Sequence, residues 1–149
     1  MRKYKDRLWT WIMPDAPRAA GMDEWRRHGG KWIVFDRKEN TEELARGLAP
    51  FIESGEIEGA KYWNEDPGAI CVYSLDRDRG RVSGILDELG AGGSRVWEYD
   101  YAWDKNIRRP LDFAFSWSAK LRTILQSYGF AGALRLLREV LKTRKDLNG

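Results

Sequence analysis

Apolar and polar positions alternate with period two in some stretches of the chain and cycle with helical spacing in others. The switches between the two mark out its elements. Leu8-Trp9-Thr10-Trp11-Ile12-Met13 alternates and is rich in strand formers, and Pro14 and Pro17 follow it, which predicts a short strand. One helical turn is expected through Asp23-Glu24-Trp25, then a second strand over Lys31-Trp32-Ile33-Val34-Phe35. Leu44, Leu48, Phe51 and Ile52 fall on one helical face, with Asn40 or Thr41 as the expected cap and Pro50 ending the regular part early. Residues 57–63 and 69–75 read as strands joined by the turn-rich Asn64-Glu65-Asp66-Pro67-Gly68, short enough for a hairpin. Val82, Ile85, Leu86 and Leu89 predict a second helix closed by Gly90, and residues 95–101 a further strand.

The order is β-α-β-β-α-β with one extra strand in front. Helices in such an order join strands that need not be neighbours, and they pack together on one face. The expected fold is therefore α+β, a mainly antiparallel sheet with helices packed on one face. Beyond it, residues 119–126 and 131–142 have helical spacing, with Leu121, Ile124, Leu125, Tyr128, Leu134, Leu137 and Leu141 on apolar faces and Arg122, Arg135, Arg138, Lys142, Arg144 and Lys145 around them.

Charge sharpens this division. Residues 1–107 hold 17 basic and 20 acidic side chains, whereas residues 108–149 hold 9 basic and 3 acidic. The break at Arg108-Arg109-Pro110 predicts an α+β domain over 1–107 and a basic helical C-terminal extension over 108–149. The extension could dock on the sheet, on a protein partner or second copy, or on RNA or a membrane surface. Composition excludes several chemistries. Cys71 is the only cysteine and His28 the only histidine, so there is no internal disulfide, multi-cysteine zinc site or poly-histidine metal site. No cofactor is implied. No apolar run reaches the length of a membrane span and no leader pattern opens the chain, so a soluble, cytoplasmic protein is expected. The phosphate loop, the nucleophile elbow and the dinucleotide fingerprint are absent.

Eight tryptophans are the compositional anomaly. Each would fill a small core well, and five or six are expected to do so. Trp9 and Trp11, two apart on a strand, face the same side. Trp25 and Trp63 stand beside polar neighbours and are the best placed to line a pocket and stack on a base. Lys61 shares a pleat side with Trp63. It can be a solvated edge residue, a phosphate ligand, or a base if desolvation lowers its pKa. Lys31 opens the second strand and could neutralise phosphate. His28 has no patterned partner and reads as a surface histidine.

Three stretches carry a family resemblance: Gly29-Gly30-Lys31-Trp32-Ile33-Val34-Phe35, Ile52-Glu53-Ser54-Gly55-Glu56-Ile57-Glu58-Gly59-Ala60-Lys61, and Ile70-Cys71-Val72-Tyr73-Ser74. They resemble the basophilic-leukaemia-expressed-protein family, whose archaeal members are labelled phosphothreonine-lyase-domain proteins. That family shares the fold of the messenger-RNA cap-binding translation initiation factor, which Leu8-Trp9-Thr10-Trp11 also resembles. The resemblance covers roughly residues 8–104 and implies that fold. The factor sandwiches methylated guanine between two tryptophans and reads it with a following glutamate. Trp25 could stand for one of these, but Arg26 follows it. The lyase label implies a lysine base, a histidine acid and phosphate-gripping arginines, residue types that Lys61, Lys31, His28 and Arg81 supply. Three functions follow as expectations. One is a nucleotide- or RNA-binding module using Trp25, Trp63, Lys31 and Lys61. The others are a phosphothreonine lyase-like enzyme with Lys61 as base and His28 as acid, and a non-catalytic protein-interaction scaffold.

Overall fold

Two strands, not one, precede the β-α-β-β-α-β core. The computed structural model describes residues 1–16, 20–101, 118, 121–126, 128–135 and 138. Its first strand, β1 (Arg2–Lys5), pairs antiparallel with β2 (Trp9–Met13). All four β1 side chains are exposed, so β1 leaves no alternation in the sequence. Next come α1 (Met22–His28), β3 (Gly29–Asp36), α2 (Lys38–Gly47) and α3 (Ala49–Glu53). The hairpin strands β4 (Gly59–Trp63) and β5 (Gly68–Leu75), then α4 (Arg79–Glu88) and β6 (Ser94–Tyr99), complete the order.

The six strands form one sheet in the order β1-β2-β4-β5-β3-β6, antiparallel at every pairing. Neither helical connection joins sheet neighbours. The α2–α3 segment carries the chain from β3 to β4, with β5 between them, and α4 carries it from β5 to β6, with β3 between them. Central β5 is buried at all eight positions because both its faces are covered.

One face packs Leu44, Ile52, Val82, Ile85 and Leu86 of the three helices, with Leu48 at the α2–α3 junction, on Ile12, Val34, Ala60, Ile70 and Val72. This is the helical face the periodicities predict. Pro50 falls in the first turn of α3, where its missing N–H costs nothing, and the helix axis breaks there as expected. The expected cap at Asn40 or Thr41 is not the one used, since α2 begins at Lys38 after Arg37. Asp36 Oδ1 accepts the Arg37 N–H at 2.7 Å and the Asn40 side-chain amide at 2.9 Å, so the strand's last acid anchors the helix three residues early.

The opposite face is covered as well. Trp25 of α1 closes it near one end, and Ile124 and Tyr128 rest against it near the other. Residues 121–126 and 128–135 are helical. The Tyr128 hydroxyl donates to the Gly68 carbonyl, and its ring meets Phe35 edge-on at 5.9 Å. The boundary at Arg108-Arg109-Pro110, Trp103, Trp117, Leu137, Leu141, Lys142, Arg144 and Lys145 lie outside the described residues.

Candidate functional site

The pleat decides which side chains meet on this second face. Lys61 stands opposite Trp11 on β2 and Cys71 on β5, and Lys31 stands opposite Tyr73 on β5 and Glu98 on β6. Odd-numbered residues of β2, β4, β5 and β3 therefore share one side with the even-numbered residues of β6, and that side carries Trp9, Trp11, Lys61, Trp63, Cys71, Tyr73 and Lys31.

Lys61 is partly buried, and its ammonium lies 4.5 Å from the ring centres of both Trp9 and Trp11 and 5.9 Å from that of Tyr73. Trp11 and Tyr73 are nearly parallel, with planes 7° apart and centroids 6.4 Å apart. Trp9 meets Trp63 edge-on at 4.8 Å. Among the described residues Lys61 makes no ion pair. Burial takes the ammonium out of water and lowers its pKa below that of an ordinary lysine, and the neighbouring Lys31 charge adds to this.

Lys31 differs. Burial also pulls its pKa down, but the hydrogen bond and charge of Asp100, 2.8 Å from Nζ, outweigh burial and leave it raised. The second oxygen of Asp100 accepts the Trp25 indole N–H at 3.1 Å, so one carboxylate fixes both the lysine and the tryptophan. At the other margin, Asp6 accepts the backbone N–H groups of Leu8 and Trp9 at 2.8 and 2.7 Å and the Trp11 indole N–H at 3.1 Å. The Trp9 backbone bond leads in holding the Asp6 carboxyl below its usual pKa. The Trp11 N–H is thus occupied, and the ring has only its faces to offer a ligand.

Of the sequence-predicted residues, Lys31 and Lys61 come together across Tyr73. Trp25 and Trp63 lie on the same face but are 3% and 8% exposed, so their rings serve mainly as packing. Trp9 and Trp11, which flank Lys61, are only partly buried. His28 is not brought to Lys61. It is the last residue of α1, next to Gly29, which pairs with Leu75, four β5 positions from Cys71 and so roughly 13 Å along the strand at ~3.3 Å per residue. Its imidazole is 52% exposed and pairs through Nδ1 with Asp76 Oδ2 at 3.2 Å; Tyr99 donates to the same oxygen at 3.2 Å. Arg81 is engaged by Glu56 and Asp78 on the helical side of the sheet. Sequence reasoning missed Tyr73, Asp6 and Asp100 as members of this face.

Among the described residues there is no group of three or more His, Cys, Asp or Glu side chains placed to hold a metal ion. Among the same residues no helix is long and apolar enough to cross a membrane. Chemically, the face offers a cation on an aromatic floor, a second cation held by a carboxylate, and a buried thiol at Cys71.

The geometry defines an α+β protein with an aromatic, lysine-bearing sheet face. No family model matches the chain, and no curated protein matches it. Among solved structures it is similar to eIF4E-3 of Ascaris suum, determined in complex with m2,2,7G cap, at 18% identity and a TM-score of 0.44. The match covers 62% of this chain and 62% of that one, so this chain spans less than two thirds of that protein's length.

Proposed function

We propose that the protein is a non-catalytic module that binds a nucleotide or an RNA end. The observation that carries this reading is the Lys61 ammonium, partly buried between the Trp9 and Trp11 rings with no ion-pair partner among the described residues. A desolvated cation without a counter-charge favours an anionic group, and the neighbouring ring faces favour a planar one. In this reading Lys61 meets phosphate and Trp9 and Trp11 supply stacking surface, while Trp25 and Trp63 hold the floor in place. Lys31 adds positive potential from across Tyr73. The test is quenching of tryptophan fluorescence by mononucleotides and short RNAs, weakening as salt is raised. Lys61→Met, which keeps the aliphatic stem and removes the charge, abolishes the response. Silence across that panel at low salt overturns the reading.

A second reading, a protein-interaction scaffold assembling through the C-terminal helices, rests on a separate observation. Leu121, Leu125, Phe130 and Leu134 are large apolar side chains left exposed on the described helical residues, Phe130 at 74%. The two readings are compatible, because the side chains involved are different.

A further inference from the structure

The row of side chains that holds Lys61 runs on past Trp11 to the edge of the sheet. Cys71, Lys61, Trp11 and Tyr4 are paired in turn across β5, β4, β2 and β1, so all four lie on the lysine face. Arg2, two residues from Tyr4 on the same strand, shares that side, whereas Lys3 lies on the other and reaches the Tyr62 ring. Exposure rises along the row. Cys71 is 4% exposed, Lys61 and Trp11 are partly buried, and Tyr4 is 62% exposed. The face is thus open toward β1, the outermost strand on that side.

Three of the four β1 side chains are explained without a ligand. Arg2, Lys3 and Lys5 are basic, and basic side chains on an edge strand keep another strand from pairing with it. Tyr4 does not serve that purpose, and it leaves a large ring in water directly across from Trp11. At ~4.8 Å between strands Tyr4 lies one strand from Trp11 and roughly 10 Å from Lys61, so a base stacked on Tyr4 belongs to the nucleotide next to the one seated at Lys61. The Arg2 guanidinium donates to the neutral Pro14 carbonyl at 3.2 Å and brings its charge to the same margin.

Resting on the reading of this face as a nucleotide or RNA-end site, we propose that it takes two consecutive nucleotides of a single-stranded RNA. The first lies on the Trp9 and Trp11 rings with its phosphate at Lys61, the second base stacks on Tyr4, and Arg2 meets the phosphate between them.

The experiment is a set of tryptophan-fluorescence titrations of the full chain at constant ionic strength. The probes are adenosine monophosphate, the 5′-phosphorylated adenine RNA dinucleotide, and the same dinucleotide with its second base removed. The parent is expected to bind the dinucleotide about tenfold more tightly than the monophosphate, as one added base stack should. The abasic form is expected to stay within about threefold of the monophosphate. Tyr4→Ala brings the dinucleotide to within about threefold of the monophosphate and leaves the monophosphate affinity unchanged. Tyr4→Phe, which keeps the ring face, binds the dinucleotide like the parent. Arg2→Gln weakens the dinucleotide about threefold and flattens its salt dependence. Because Tyr4 is exposed, Tyr4→Ala is expected to melt with the parent, which separates loss of contact from loss of fold. A monophosphate response with a dinucleotide that binds no tighter, or with an abasic form as tight as the dinucleotide, overturns the two-nucleotide inference and leaves nucleotide binding intact. A Tyr4→Ala protein that keeps the full dinucleotide gain overturns the place given to Tyr4. No response to any probe overturns nucleotide binding and the inference together.

Discussion

At Lys61 two effects oppose each other. The Trp9 and Trp11 rings, 4.5 Å from its ammonium, favour the charged form, whereas burial disfavours it. Burial prevails, and the folded-state pKa lies below the 10.5 of an ordinary lysine. The sign of the consequence follows from proton linkage. Between the folded pKa and 10.5 the unfolded chain binds more protons than the folded one, so the Lys61 contribution to stability rises with pH across that window. Ligand affinity runs the other way, because an anion needs the ammonium. Nucleotide binding is therefore expected to fall as pH climbs toward 10.5, in a range where exposed lysines are still charged. Chemical denaturation at several pH values should show the parent gaining stability relative to Lys61→Met across the same window. At neutral pH Lys61→Met should be no less stable than the parent. Affinity that stays flat until exposed lysines titrate would refute this account.

The element scale explains what the sequence disclosed. Alternation gave away β2 to β6, because each has at least one face that must be apolar, and helical spacing gave away α2 with α3, and α4. Strand β1 stayed hidden because none of its side chains is buried. The early start of α2 was equally hidden, since Asp36 reaches it from the preceding strand. The site was half legible. Pleat parity alone put Lys61 with Trp63 and Trp9 with Trp11. Joining Lys61 to Trp11, Tyr73 and Lys31 requires the order β2-β4-β5-β3, which only the completed sheet supplies. Asp100 lies 69 residues from its lysine partner and just beyond a strand end, where no periodicity marks it. The Gly29-Gly30 pair, by contrast, has a local reason. A Cβ on Gly29 would lie 2.5 Å from the Trp25 ring and backbone, and one on Gly30 would lie 2.5 Å from the Trp97 ring and 2.8 Å from the Glu98 carbonyl. The first glycine lets α1 close over the lysine face, and the second lets β6 pair closely with β3. Gly30→Ala is expected to cost about 1–3 kcal/mol, since backbone as well as side chain must shift. A thermal melt of Gly30→Ala within a degree of the parent would contradict this.

Across the whole molecule, the lysine face is bounded along the strands by two elements of different character. Trp25 covers it near the Gly29–Leu75 level, and Tyr128 with Ile124 covers it near the Phe35–Ala69 level, leaving Lys61 between them opposite Cys71. Among the described helical residues after 118, Ile124 and Tyr128 thus turn inward onto the sheet, and Tyr128 is anchored by its bond to Gly68. Burial and the carboxylates of Asp36 and Asp66 push its phenol pKa up, so this anchor stays protonated through the physiological range. The same residues turn Leu121, Leu125, Phe130 and Leu134 outward, where nothing among the described residues covers them. Because the inward and outward sets differ, association through the outward set can change without disturbing the sheet face. The parent chain is therefore expected to scatter light as a species larger than one chain at high concentration. Phe130→Glu combined with Leu134→Glu should return it to the mass of a single chain. Nucleotide quenching should be the same in the double variant, because neither side chain contributes to the aromatic floor around Lys61. A parent that stays monomeric would remove the scaffold reading. A double variant that loses nucleotide binding would instead mean that assembly and the lysine face are one device.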